Sequence, residues 1–249
     1  MIGPLLLIAS AGTSTPPPRS ADYAVAALRR QLPAAVDRSG LADGRGSDEI
    51  ARWKRRLDGF VALWGAYRDA RCDARLARYE SGAGANPAAC RARITRVMLD
   101  DMRFRFDLPP RGLPRASIEE TRLRPGPEDR EEGGLCAGTP PAECDYCAIT
   151  RCWQRRLAAD EAALNSAWKA ALATIGARPG LTAARRSDWA GRLRASQRLW
   201  RKWREEACEL AAWETPNPAA NSTFAFVTGP CRDRETRART EVLRRAYGR

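Results

Sequence analysis

The chain has 249 residues, 44% of them hydrophobic, with eight tryptophans, eight cysteines, a formal net charge of +13 and no histidine. That length suits two small domains or one medium one, with apolar content enough to build cores. The absence of histidine removes the commonest general base, the Ser-His and Cys-His nucleophile arrangements and most catalytic zinc sites, which weighs against an ordinary hydrolase.

The charge comes from 43 basic against 30 acidic residues, and only Lys54, Lys169 and Lys202 are lysines. Arginine therefore supplies almost all of it. One reading is an anionic partner: a glycan, a phospholipid headgroup, nucleic acid or an acidic cleft. The other is a GC-rich genome, which enriches Arg, Ala, Gly and Pro together. The even spread of arginines along the chain agrees with the second.

In chain order, residues 1–11 hold a short apolar run, Pro4 to Ala9, ending in the small-x-small pattern Ala9-Ser10-Ala11. This reads as a signal peptide lacking a basic start, and it is too short to span a bilayer. No cysteine follows it, so no lipid anchor is indicated, and Thr13 to Pro18 reads as a Pro/Thr-rich leader. The expected product is periplasmic or secreted, and not membrane-spanning. A helix is predicted over 21–32, with Val25, Leu28 and Leu32 at helical spacing, followed by a Gly/Asp/Ser-rich connection over 33–47. A long helix over 48–79 carries the seam Trp53, Leu57, Phe60, Trp64 and Tyr67. Ser81 to Pro87 breaks it, and a third helix follows over 88–106. Residues 107–143 form a Pro/Gly-rich, charged linker without apolar period. Three more helices are predicted: 146–175 with Leu157, Leu164, Trp168 and Leu172; 182–213 with Trp189, Leu193, Trp200 and Trp203; and 231–246 after a loop over 214–230. No strand pattern exceeds the short stretch from Phe224 to Val227.

The organising feature is a repeat. Trp53, Leu57, Leu63, Trp64, Tyr67, Arg68, Asp69 and Cys72 return 136 residues later as Trp189, Leu193, Leu199, Trp200, Trp203, Arg204, Glu205 and Cys208. After the next cysteine in each copy, Cys90-Arg-Ala-Arg-Ile-Thr95-Arg96 answers Cys231-Arg-Asp-Arg-Glu-Thr236-Arg237. The expected fold is all-α: two tandem three-helix modules, 21–106 and 144–249, stapled by disulfides and joined by the linker. Cys72 with Cys90 and Cys208 with Cys231 are the expected staples, each tying the end of one helix to the start of the next. Cys136, Cys144, Cys147 and Cys152 cluster in the second half only. Cys144-x-x-Cys147 could be half of a zinc site or a redox pair, but no histidine and no βαβ pattern accompany it, and two further disulfides are the plainer reading.

The aromatic seams could stack on sugars, yet their spacing of three and four is that of a helix core. Trp213, beside a Pro-rich loop, is the aromatic expected to be exposed. Arg68 and Arg204 each follow an aromatic and precede a carboxylate; an ion pair within the fold and direct ligand contact are the two readings. Thr95 and Thr236 are placed to cap or back-bond a helix. Asp100-Asp101, Glu119-Glu120 and Glu205-Glu206 are adjacent, so on a helix they diverge and make poor acid/base pairs. No catalytic residue, cofactor site or metal site is expected, and nucleic acid is not the expected partner, since only the charge points to it.

The second half resembles the LprI-type lysozyme-inhibitor family. The resemblance rests on Cys152, Ala159-Asp160, Leu164-Asn165, Ser196-Gln197-Arg198-Leu199-Trp200, Trp203-Arg204-Glu205-Glu206-Ala207-Cys208, Gly229, Cys231, Thr236 and Arg237. It implies a disulfide-linked helical domain outside the cytoplasm, non-enzymatic, with lysozyme or another cell-wall hydrolase as its partner. Asn165, Gln197, Trp200, Trp203, Arg204, Trp213, Thr236 and Arg237 are the candidate binding or structural positions. The first copy keeps only the later part of the pattern, with Arg29 in the place of Asn165. An envelope adaptor that holds an anionic cell-surface polymer through its arginines is the rival expectation.

Overall fold

A glycine turn in the left-handed region joins the first two helices of each half. Gly44 has φ +72° and Gly180 has φ +78°, and the two are again 136 residues apart. The computed structural model describes residues 21–77, 86–106, 108, 145–215 and 227–248, without the side chains of Phe104 and of 145–148. The signal-peptide prediction, the linker apart from Leu108, most of the two loops, Cys136, Cys144 and the Cys147 side chain lie outside these residues. Among the described residues the fold is all-α.

Helix α1 (Ala21–Ala42) leads through the Gly44 turn into α2 (Ser47–Leu76), and α3 (Pro87–Arg105) follows. The second half repeats this order with α4 (Asp145–Gly176), α5 (Ala183–Trp213) and α6 (Gly229–Tyr247). Local chemistry fixes several starts. The Asn86 side chain accepts from the Ala89 amide at 3.0 Å with Pro87 in the first turn, and Thr182 accepts from the Arg185 amide at 3.3 Å.

The first helix corrects the sequence expectation. It runs past 32 to Ala42 with Pro33 inside it, where a connection was predicted. Proline removes one helix hydrogen bond, but Leu32, Ala35 and Val36 are buried in the core shared with α2 and α3 and Gly40 packs on Ile50 of α2, and that packing outweighs the loss. A Cβ at Gly40 would lie 2.6 Å from Ile50 Cγ1, so the glycine sets how closely the two helices approach.

α2 and α5 form the spine and run antiparallel. Arg56 pairs with Glu209 at 2.9 Å near one end, and Arg192 lies in the field of Asp73 near the other. Between them Trp203 sits 5.6 Å from the Tyr67 ring and 6.4 Å from Phe60. α1 and α3 flank α2, while α4 packs along α6. The two cores borrow across this face: Leu210 of α5 joins the core of α1–α3, and Tyr67 and Ala74 of α2 join that of α4–α6. Each fully buried Leu, Ile or Met of these cores contributes roughly 1.5–3 kcal/mol. Arg45 adds an asymmetric tie. It is buried over the Trp53 ring at 4.6 Å and donates to the carbonyls of Trp213 at 2.6 Å and Thr215 at 2.5 Å, satisfying the open end of α5.

No helix among the described residues is long and apolar enough to cross a membrane.

Candidate functional site

The two halves share the contacts that hold the fold and differ in a few that are special to the second half. Arg68 and Arg204 make the same clamp. Arg68 donates to Asp69 at 2.8 Å, Thr95 at 3.2 Å and Asp22 at 2.7 Å, over the Trp64 ring at 5.5 Å. Arg204 donates to Glu205 at 2.8 Å, Thr236 at 2.7 Å and Glu161, over the Trp200 ring at 5.0 Å. Arg91 and Arg232 then engage Asp69 and Glu205 from the following helix, at 3.1 and 2.7 Å. Trp53 meets Phe106, and Trp189 meets Tyr247, both at 6.0 Å. The expected disulfides Cys72–Cys90 and Cys208–Cys231 are formed, with Cα separations of 5.9 and 5.5 Å. Cys152 is also disulfide-bonded.

This recurrence settles the local geometry of several candidate positions. Trp200 is buried beneath Arg204, and Thr236 is fully buried, its hydroxyl donating back to the Arg232 carbonyl at 2.7 Å. Trp203 is half-buried in the α2–α5 face. All three pack inside the fold, where the helical spacing of the seam puts them. Trp213 is half-buried rather than exposed, with the guanidinium carbons of Arg56 and Arg52 at 5.2 and 6.0 Å from its ring.

Three features belong to the second half alone. First, Asp160 of α4 hydrogen-bonds Asp233 of α6, at positions where the first copy has Ala24 and Ala92. Asp233 is fully buried and is engaged by Arg237 at 2.8 Å and Arg156 at 3.3 Å. Burial, with the Asp233 hydrogen bond and charge adding to it, pushes the Asp160 carboxyl up to about 7. Burial also works against ionised Asp233, but the Asp160 bond and the two arginines hold it below the usual carboxylate range.

Second, Gln197 and Arg239 replace Val61 and Met98 of the first copy. Arg239 donates to Gln197 at 2.9 Å and lies 3.5 Å from the Tyr67 hydroxyl, between the rings of Tyr67 and Trp200. Burial lowers the pKa of this guanidinium, which has no carboxylate partner among the described residues.

Third, Asn165 is exposed on α4 and accepts from Arg201 of α5 at 3.4 Å, beside a row of exposed basic side chains. Asn165, Gln197 and Arg237, named from sequence, thus lie among groups peculiar to the second half. Asp233 was not singled out from sequence, and Asp160 was noted only within a motif. The signal for both was present: in each case the equivalent residue in the first copy is alanine.

Residues 136–243 match the family model described as Lysozyme inhibitor LprI. The match covers α4, α5 and most of α6, and leaves α1 to α3 outside it. No curated protein and no solved structure matches the chain.

Proposed function

Because residues 136–243 match a lysozyme-inhibitor family, we propose that this protein is an exported, non-enzymatic binding protein whose partner is lysozyme or a related cell-wall hydrolase. The family match over α4–α6 is the observation that carries this reading. The disulfides support it, since such bonds persist in oxidising compartments outside the cytoplasm. In this reading residues 1–11 are removed on export, and 21–106 and 144–249 are two modules joined by 107–143. The second module binds. The first, which lacks the Asp160–Asp233 and Gln197–Arg239 groups, braces α5 through α2 and Arg45.

Lysozyme's cleft carries catalytic carboxylates, so an arginine or a loop backbone inserted there would block substrate. The segment 214–230, with its Pro, Asn and Gly, is the candidate for that role. A +13 chain approaching a basic lysozyme is repelled at long range, so encounter is slow at low salt and faster as salt screens the charges. Calorimetric and surface-binding titrations against lysozyme test the proposal. Saturable binding with an association rate that rises with ionic strength is expected; no binding at micromolar excess would contradict it.

A further inference from the structure

The exposed face of α5 carries Arg194, Arg198, Arg201 and Lys202, spaced i, i+4, i+7 and i+8, which places them in one row. At 1.5 Å rise per residue the row is about 12 Å long. Antiparallel α4 extends it. Arg201 contacts Asn165 while Arg204 contacts Glu161, so Lys169, exposed one turn beyond Asn165, continues the row on the side of Arg198.

None of the five cations has a carboxylate within 4 Å among the described residues, although other exposed arginines do, Arg192 with Asp188 at 2.9 Å for example. Two acids beside the row are engaged elsewhere, Glu161 by Arg204 and Glu205 by Arg204 and Arg232, and Glu206, one turn beyond Lys202, forms no ion pair with the row within 4 Å. Like charges at i, i+3 and i, i+4 oppose helix stability, so the row is maintained against its own repulsion.

The first copy gives an internal control. At the positions equivalent to Arg194, Arg198, Arg201 and Lys202, α2 has Asp58, Ala62, Gly65 and Ala66. The core and clamp residues of the two copies are kept, while this outward row is basic in one and nearly neutral in the other. Composition alone, acting on both copies, does not produce that contrast.

We propose that the Arg194–Arg198–Arg201–Lys202 row, extended by Lys169, is a binding surface for a linear polyanion of closely spaced phosphate or phosphodiester groups. An extended row of point charges fits a run of anions rather than a single carboxylate. The exposed large hydrophobic side chains of the described residues, Tyr23, Leu41 and Val97, all lie on α1 and α3, so no apolar side chain here enters a lipid layer. Among the described residues no exposed aromatic borders the row for bases to stack on, which separates it from a single-strand nucleic-acid surface. The surface is independent of the lysozyme reading and makes the opposite salt prediction, because counterion release weakens polyanion binding as salt rises.

The test uses the full chain with inorganic polyphosphate as probe. It compares wild type, a quadruple variant R194A/R198A/R201A/K202A, and a control R30A/R38A/R55A/R75A that removes the same charge from exposed arginines elsewhere that form no ion pair among the described residues. Alanines at exposed helical positions leave the fold intact, which the thermal transition of each variant checks. Wild type is expected to bind with affinity falling steeply with salt, the row variant to bind about tenfold or more weakly, and the control to stay within about threefold. Equal weakening in both variants, absence of polyphosphate binding at low salt, or equal binding to anionic lipid vesicles or a single-stranded oligonucleotide would overturn the proposal. Lysozyme binding that persists in the row variant separates this result from the previous one.

Discussion

Asp160 and Asp233 are joined by a hydrogen bond between two helices, with one carboxyl raised to about 7 and the other held low. The folded pair therefore binds more protons than the unfolded chain between about pH 4 and 7. Its contribution to stability is fully present only near pH 4 and is lost progressively as pH rises from there through about 7. Below about pH 4 the depressed Asp233 works the other way, and stability falls with acid. Asp160→Asn, which keeps a donor facing Asp233, should flatten the loss between pH 5 and 8. The difference is on the order of 1–2 kcal/mol after allowance for solvent screening of a partly exposed group. Glu214, also raised by burial, slopes both proteins alike, so the comparison of urea midpoints isolates the pair. Equal slopes would contradict the assignment.

The arginine clamp predicts a graded series. Arg204→Ala leaves Glu161 and Thr236 without their buried partner and should cost about 2–4 kcal/mol, a fall of several degrees in Tm for a chain of this size. Arg204→Lys keeps the charge but not the fork that reaches Glu205, Glu161 and Thr236 together, so it should recover only part of the loss. Arg68→Ala should behave in the same way, because Arg68 holds the equivalent set of partners. Thermal scans of the three variants check the order; a neutral Arg204→Ala would mean the clamp carries no stability.

These contacts show what was legible in the sequence. The 136-residue repeat of Trp, Arg and Cys pointed directly to the helices, both staples and the aromatic core, because those positions face inward and each has one job. The extent of α1 was not legible. Pro33 and the Gly/Asp/Ser run after it are local breaking signals, and only tertiary burial, of Val36 in the core and of Gly40 against Ile50, overrides them. The Asp160–Asp233 pair was missed for a related reason: its members are 73 residues apart, and no periodicity connects them. Trp213 was expected in solvent from its Pro-rich neighbours, whereas Arg52, Arg56 and Arg45 of the other half cover it.

The paired glycines give a test of the duplication. Gly44→Ala and Gly180→Ala place a Cβ at φ +72° and +78° and should each cost about 1 kcal/mol. Gly191, mid-helix in α5 with open space where a Cβ would stand, should respond oppositely, with Gly191→Ala stabilising by up to about 1 kcal/mol. Chemical unfolding of the three variants reads the signs. A stabilising Gly180→Ala would mean that the positive φ at this turn carries no strain.

The disulfides should act independently of each other. Replacing Cys72 and Cys90, or Cys208 and Cys231, by serine opens loops of sequence separation 18 and 23 and should cost about 3 kcal/mol in either case. Peptide mapping of exported, thiol-alkylated protein before and after reduction locates both bridges. Free thiols at these four positions would contradict the fold.

The lysozyme reading itself is tested most directly by the rate of lysozyme digestion of cell walls, titrated with the purified, oxidised chain. The expected result is saturable slowing at micromolar excess, abolished by reduction of the disulfides and not weakened by R194A/R198A/R201A/K202A. An unchanged digestion rate across the titration would contradict it.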